Sequence, residues 1–210
     1  MAGKRVDTLL NTMLFIEMFT LNRAWTDLTD DEFFWEPVPG SWSVRRRSES
    51  RTPTPFGTGE WVADFDGSLL GRAAEGEATE PLTTIAWLMW HMGSMPSRTV
   101  ELDFLAGTRS AESGWPSPYI ADHPVFTSAD EAVRAMRTGW RALDHALQVS
   151  TDEQLERQTR FWGFPDPGPR ASAYQVVALL LNEISHHGAQ VCMLRDLYRV
   201  RGKLAQFSDR

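Results

Sequence analysis

The stretch from about Ala171 to Tyr198 constrains this chain most, because a single apolar row runs along it at steps of three and four residues. The members of the row are Val177, Leu180, Ile184, His187, Val191, Leu194 and Tyr198. That spacing places side chains on one face of an α-helix. A helix of this length must bury such a face against other helices. We therefore predict a long bundle helix, helix four, which Gly202 ends.

Two other segments repeat the same spacing. The first, helix one, runs from about Asp7 to Asp27, and the residues of its stripe are Leu10, Met13, Leu14, Glu17 and Leu21. Helix three begins at Ser128, since Glu131 three residues later completes a capping-box pattern. Its stripe then steps by three and four residues through Val133, Met136, Trp140, Leu143 and Leu147. Both stripes predict helices that face a common core.

Helix two is expected directly after Pro81, with Thr83 or Thr84 as its cap. Its apolar residues continue to Met95, and Pro96 should kink or interrupt it because proline removes a helical hydrogen bond. With no convincing strand alternation and no internal repeat, the four helical patterns predict an all-α fold, a four-helix bundle.

A long irregular connection separates helices one and two, from Leu28 to Pro81. Proline and glycine punctuate it, and it carries the aromatic residues Trp35, Trp42, Phe56, Trp61 and Phe65. Aromatic side chains in a loop favour packing against the core, so we expect an ordered crossover that covers the bundle. A length of 210 residues favours one domain over residues 1–210.

Composition excludes several classes of function. The 28 acidic side chains exceed the 21 basic ones, and the net charge of −7 disfavours binding to nucleic acid. No apolar stretch is long enough to span a membrane, and no signal peptide is apparent. The single cysteine, Cys192, excludes an internal disulfide and is typical of a reducing cytoplasm. We therefore expect a cytoplasmic protein.

A candidate metal site lies in helix four. Glu183 and His187 are four residues apart, so their Cβ atoms lie about 5 to 6 Å apart on one helical face. His187 stands in a row of apolar residues, where a buried imidazole needs a partner. His91, in the apolar part of helix two, is the best third ligand. Gly188 disfavours a helix interior, which indicates that another group approaches the backbone there.

Other readings of the same residues stay open. A buried histidine is more often hydrogen-bonded within a core than bound to a metal. His186 points away from His187 and is read as an outer group, an acid–base group or a solvent-exposed residue. His145 is expected to be exposed or to serve as a cap, and His123 falls in a loop. Cys192 is best read as a core residue. Trp87, Met89 and Trp90 in helix two are read as core and interface filling.

These residues also carry a resemblance to a known family. The run from Asn182 to Arg199 resembles the last helix of the DinB-like superfamily, whose four-helix metal-binding bundles include the bacillithiol and mycothiol S-transferases. The run Thr84–Gly93 resembles that family's second helix, and Asp31–Val44 resembles the loop after helix one in an actinobacterial branch. The resemblance implies a nickel or zinc ion held by His91, residue 183 and His187. Position 183 departs from the family's usual histidine, but a carboxylate is also a ligand for these ions.

The resemblance implies a function as well. We expect a metal-dependent enzyme acting on a small molecule, with a mycothiol-type thiol as co-substrate and a small electrophile as its acceptor. His186 and Gln190 are the candidate catalytic residues, placed to move a proton or orient water. The alternatives are a metal-dependent hydrolase and a non-catalytic helical interaction module with a degenerate metal site. Nine tryptophans favour an interface, so we also expect a homodimer.

Overall fold

The computed structural model describes residues 3–79, 81–93, 95–101, 124–160 and 170–208. The α-helices in these ranges are α1 (Lys4–Ile16), α2 (Asn22–Trp25), α3 (Asp30–Phe33), α4 (Gly67–Ala74), α5 (Ile85–Gly93), α6 (Met95–Glu101), α7 (Ala129–Gln148), α8 (Asp152–Leu155) and α9 (Ala173–Ser208). The strands are β1 (Val44–Arg46), β2 (Trp61–Ala63), β3 (Gln158–Arg160) and β4 (Arg170–Ser172). The fold is all-α, as predicted.

The first predicted helix is built from α1, a π-helical turn over Glu17–Leu21, and α2. Its buried side chains include Val6, Leu9, Met13 and Ile16. Leu14, which we expected in the apolar stripe, is 51% exposed. Leucine and phenylalanine also occupy the outer side of this helix, so its apolar residues cover more than one stripe. The prediction assigned Leu14, on the exposed side, to the core.

The starts of two helices are where the sequence predicts them. Ser128 Oγ accepts from the Glu131 backbone N–H at 3.2 Å, and Glu131 in turn accepts from the Thr127 N–H at 2.8 Å. Thr84 Oγ1 accepts from the Trp87 N–H at 3.2 Å, which identifies Thr84 as the cap of α5. α5 covers Ile85–Gly93 and α6 covers Met95–Glu101, while residue 94 lies outside the described residues, so the interruption beside Pro96 stays a prediction.

Two features differ from the prediction, the end of the last helix and the presence of short strands. α9 continues to Ser208 and does not stop at Gly202, whose backbone is not among the positive-φ glycines. An exposed glycine costs a helix about 1 kcal/mol, which does not suffice to end it. The chain also forms two antiparallel pairs, β1 with β2 and β3 with β4. Each strand has three residues, too few to produce a readable alternation.

The long connection is ordered and packs on the bundle. Val44 pairs with Ala63 across β1 and β2, and the backbone of Trp42 bonds to Leu82 and Thr84 at the start of α5. These hydrogen bonds fasten the connection to α5, the helix that carries His91. This agrees with the prediction that the aromatic residues of the connection pack it against the bundle.

Contacts between the ends of the helices fix their directions. The Arg5 guanidinium lies 5.6 Å from the Tyr174 ring centroid, and Arg23 pairs with Asp196. α1 and α9 therefore run in the same direction. α7 runs the opposite way, since Ala129 N donates to Asp30 and Trp140 Nε1 donates to Glu17.

The core lies between α1, α5, α7 and α9. The stripe of α7 is confirmed at Met136, Trp140, Leu143 and Leu147, all buried. Gly188 of α9 is also explained, because a Cβ there would lie 2.7 Å from Thr20 Cγ2. Among the residues described, no helix combines the length and apolar character that crossing a membrane requires.

Candidate metal centre

His91, Glu183 and His187 converge between α5 and α9. Glu183 Oε2 lies 3.3 Å from His187 Nε2 and 4.0 Å from His91 Nε2. The three candidate ligand atoms all lie within 4.8 Å of one another. The imidazole rings of His91 and His187 meet edge to face, with centroids 4.7 Å apart. The sequence-predicted trio is thus brought together in space.

The backbone explains why Glu183 and His187 share a site. They lie one turn apart in the middle of α9, where the helix holds both Cα–Cβ bonds toward the same side. α5 supplies the third group from a different part of the chain, and its direction is set by the Thr84 cap at its first turn. Only the packing of α5 on α9 brings His91 to the other two residues.

Gln190 orients the imidazole of His187. Its side-chain Oε1 lies 2.7 Å from His187 Nδ1, one helical turn further along α9. With Nδ1–H donating to this oxygen, the lone pair of the neutral ring is on Nε2, the nitrogen that faces Glu183. A hydrogen bond of this kind on the far nitrogen is what fixes the tautomer of a ligating histidine.

Trp87 orients the second imidazole. Its ring lies nearly parallel to that of His91, with centroids 5.4 Å apart and an angle of 13° between the planes. The indole Nε1–H donates to the Asp64 carbonyl oxygen at 2.8 Å, which joins α5 to the end of β2. The long connection therefore restrains the tryptophan on which His91 stacks.

Asp64 is the anchor of that connection. Its carboxylate is fully buried, and it accepts from the Arg45 guanidinium at 2.6 Å and from the backbone N–H groups of Ser43 and Arg51 at 3.2 Å each. A buried carboxylate is stable only when its oxygens are paired in this way. The basic run at residues 45–51 thus contributes to folding, because Arg45 holds the loop that supports Trp87.

Aromatic side chains flank the His91 side of the cluster. We call Trp42, Phe56, Phe65 and Trp87 the aromatic wall. Trp42 lies 5.9 Å from Trp87 and 5.8 Å from Phe65, centroid to centroid, and Phe65 lies 4.4 Å from Phe56. The expectation that the long connection covers this end of the bundle is borne out by these contacts.

The donor set fits a divalent cation. A tetrahedral zinc centre with bonds of about 2.0–2.1 Å separates neighbouring ligand atoms by roughly 3.3 Å. Glu183 Oε2 and His187 Nε2 have this separation, whereas His91 Nε2, at 4.0 Å from Glu183 Oε2, would move closer on binding an ion. Two imidazoles and one carboxylate also form a donor set of catalytic zinc sites, where a position stays open for water or substrate. The side chains are accessible, with exposures of 27% for His91, 29% for Glu183 and 14% for His187.

The other candidates lie outside the cluster. His186 is exposed, and its ring packs edge to face on His187 with centroids 4.9 Å apart. His145 is exposed on α7, as expected. Cys192 is buried with its thiol 3.5 Å from the Thr20 carbonyl oxygen, and burial raises the pKa of that thiol. His123 lies outside the described residues.

Two contributors were missed at the level of sequence. Trp87 was read as filling, although it stands one turn before His91 on the same helical face, a spacing that signals contact. Met89 and Trp90, read the same way, are buried in the core. No sequence pattern identified Asp64 as a support for Trp87, because its position depends on the pairing of β1 with β2.

The fold and the cluster define the class of the protein, a helical bundle with a candidate histidine and carboxylate metal centre. The family model of the DinB superfamily matches residues 58–191, and the chain belongs to that superfamily, a metal-binding family of helical proteins. No curated protein and no solved structure matches the chain. The match begins after Asp31–Val44, the segment that suggested an actinobacterial branch, so the branch stays a prediction.

Proposed function

We propose that this protein is a metal-dependent enzyme that joins a low-molecular-weight thiol of the cytoplasm, of the mycothiol type, to a small electrophile. The observation that carries the proposal is the convergence of His91, Glu183 and His187 at an accessible point in a member of a metal-binding superfamily. Zinc and nickel are the candidate ions, since both accept imidazole and carboxylate ligands.

When bound by these three side chains, a divalent cation would supply Lewis acidity, which lowers the pKa of a thiol or a water molecule. The chain supplies the remaining requirements. Gln190 holds His187 with Nε2 toward Glu183, and Trp87 holds the plane of His91. The aromatic wall excludes water from one side and offers an apolar surface to the carbon skeleton of an electrophile.

In the proposed transfer, the thiol sulfur forms one new bond to the electrophilic carbon. The S–H proton leaves to a base, and the leaving group departs with its bonding electron pair. We assign the proton to His186, a role supported by its exposed ring, which packs edge to face on His187. Cys192 is excluded as the nucleophile, since its thiol is buried and its pKa is raised by that burial.

Conjugation of a fluorogenic electrophile by the purified, untagged protein tests the proposal. We expect turnover that requires both a low-molecular-weight thiol and zinc or nickel, and that is lost after treatment with a chelator. The matched variants are His187→Ala and His145→Ala, which remove a site histidine and an exposed histidine of α7. Activity should disappear only in the first.

The same samples separate the alternatives. A metal-dependent hydrolase would cleave ester or amide substrates with no thiol present. A chain that binds no metal and turns over neither class of substrate would be a non-catalytic helical module. Either result would overturn the transferase proposal.

A further inference from the structure

The outer face of α1 and the π-turn carries a group of exposed apolar side chains. Their exposed fractions are 51% for Leu14, 58% for Phe15, 56% for Met18 and 72% for Phe19. The rings of Phe15 and Phe19 stack with centroids 6.2 Å apart. We call these four residues the α1 patch. Monomeric proteins rarely leave contiguous apolar surface of this kind in water.

Charge is absent from this face over about four helical turns. Between Asp7 and Arg23 the exposed residues are Thr8, Asn11, Leu14, Phe15, Met18, Phe19 and Asn22, none of them charged. Glu17 is half-buried and accepts from Trp140 Nε1 at 3.3 Å, so it faces α7. Depletion of charge around exposed aromatic residues is the composition of a protein interface core.

The face has the same pattern of asparagine and apolar positions in both directions, although the apolar residues themselves differ. Asn11 and Asn22 flank it, Leu14 and Phe19 lie inside them, and Phe15 and Met18 lie at the centre. The two members of each pair are equally distant from the midpoint between residues 16 and 17. Such a face is self-complementary about a two-fold axis, which is the requirement for the interface of a symmetric dimer.

We propose that the α1 patch is the interface through which two copies of this chain associate, with the two α1 helices antiparallel. In that arrangement Phe15 meets Met18 of the other copy, Leu14 meets Phe19, and the asparagines pair at both ends. The exposed Lys4 at one end of the helix then approaches the exposed Asp27 and Asp31 of the second copy. Opposite charges at the rim set the antiparallel register.

The size of the patch indicates a moderate affinity. The two phenylalanine rings together would bury roughly 250 Å² per copy, and Leu14 and Met18 add to this. A stable interface buries about 800 Å² per partner. We therefore expect a dimer with a micromolar Kd that forms at high protein concentration.

The mass of the full chain in solution tests the proposal. Sedimentation equilibrium at roughly 200 µM, well above a micromolar Kd, should give about twice the chain mass of 23.8 kDa. Phe19→Glu should give the mass of one chain at the same concentration. The matched control is Val149→Glu, which places the same charge at a 68% exposed residue after α7 and should leave the dimer intact.

Cross-linking tests the direction of the helices. We expect Asn11→Cys and Asn22→Cys chains to form a disulfide-linked dimer when mixed under mild oxidation, and neither to do so alone. Equivalent positions at residue 11 would lie roughly 19 Å apart in an antiparallel pair, from the helical rise and the usual interaxial distance. Native Cys192 is buried and does not interfere.

Three results would overturn the proposal. A wild-type chain that is monomeric at this concentration would mean that the α1 patch does not join two copies. A dimer that survives Phe19→Glu would place the interface elsewhere. Cross-linking of each single variant alone would mean that the helices are parallel. None of these results bears on the metal centre, so the two proposals fail independently.

Discussion

α9 carries two ionic clusters that are eight residues apart, and they are built in opposite ways. Arg195 is 2% exposed and donates to both carboxylate oxygens of Glu32 and to the carbonyl oxygens of Arg23, Ala24, Thr26 and Asp27. His187, two turns earlier, shares with Glu183 and His91 a cluster that keeps part of each side chain accessible. The first cluster is closed and the second is open.

The difference separates a structural role from a binding role. Every N–H of the Arg195 guanidinium points at an oxygen, so the cluster satisfies the carbonyl groups at the end of the first helix and leaves nothing for a ligand. The open cluster groups three candidate metal-ligand atoms around an accessible point. Burial of charge alone therefore does not mark a functional site. Accessible donor atoms that converge on one point do.

The largest effect is expected from breaking the closed cluster. Arg195→Ala leaves the Glu32 carboxylate buried without its partner, which costs about 3–5 kcal/mol. Urea unfolding should show this loss, whereas Arg199→Ala, whose side chain is 55% exposed and 4.0 Å from Glu32, should cost less than about 1 kcal/mol. Equal losses in the two variants would mean that the buried Glu32 carboxylate depends no more on Arg195 than on the exposed Arg199.

A comparable change in the open cluster should affect the metal and spare the fold. His187→Ala removes one of three ligands, so the metal content of the purified protein should fall from about one ion per chain toward zero. Elemental analysis measures this, with His145→Ala as the variant that retains the metal. Unfolding of the metal-free His187→Ala protein should match that of the metal-free wild type. A metal content unaffected by the substitution would exclude His187 as a ligand.

A smaller effect on metal affinity is expected at Gln190, which contacts the candidate ligand His187. Gln190→Ala removes the acceptor for His187 Nδ1–H, and loss of such a partner typically weakens metal binding 10–100-fold. Competition with a chelator of known affinity measures the change. Asn182→Ala, at an exposed residue of the same helix, provides the control. An unchanged affinity would mean that the packing of α9 alone orients the imidazole.

The smallest effect concerns Cys192, which lies between the two clusters. Burial raises the pKa of its thiol, so we expect slow reaction with a disulfide reagent at pH 8 in the folded chain and fast reaction after unfolding. Because the raised pKa belongs to the folded state, the thiol's contribution to stability is present at neutral pH. It declines as the pH rises above the value at which the unfolded thiol ionises. Fast labelling of the native chain would contradict the buried placement.

The sequence predicted the parts of this molecule that one helix determines by itself. Glu183 and His187 share a face because a helical backbone places residues four apart on the same side, and Ser128 caps α7 through a hydrogen bond within one turn. The choice of His91 as the third ligand depended on the apolar residues around it. The pair in α9 and the cap of α7 needed no knowledge of how distant segments pack, whereas the position of His91 depends on the packing of α5 on α9.

The rest depended on contacts between distant segments. Leu14 was placed in the core because its spacing fits, but α7 and α9 cover the side of the helix that carries Leu9 and Met13. The support of Trp87 by Asp64 arises only when β1 pairs with β2. Gly202 did not end α9, since a weak local preference does not decide where a long helix stops.

The most direct test of the account is an anomalous-scattering measurement on crystals of the untagged protein grown without chelators. We predict one metal peak between α5 and α9, within bonding distance of His91 Nε2, the Glu183 carboxylate and His187 Nε2. A peak at other residues, or well-ordered crystals with no peak and with these three side chains bonded only to one another and to water, would contradict the metal centre on which the proposed function rests.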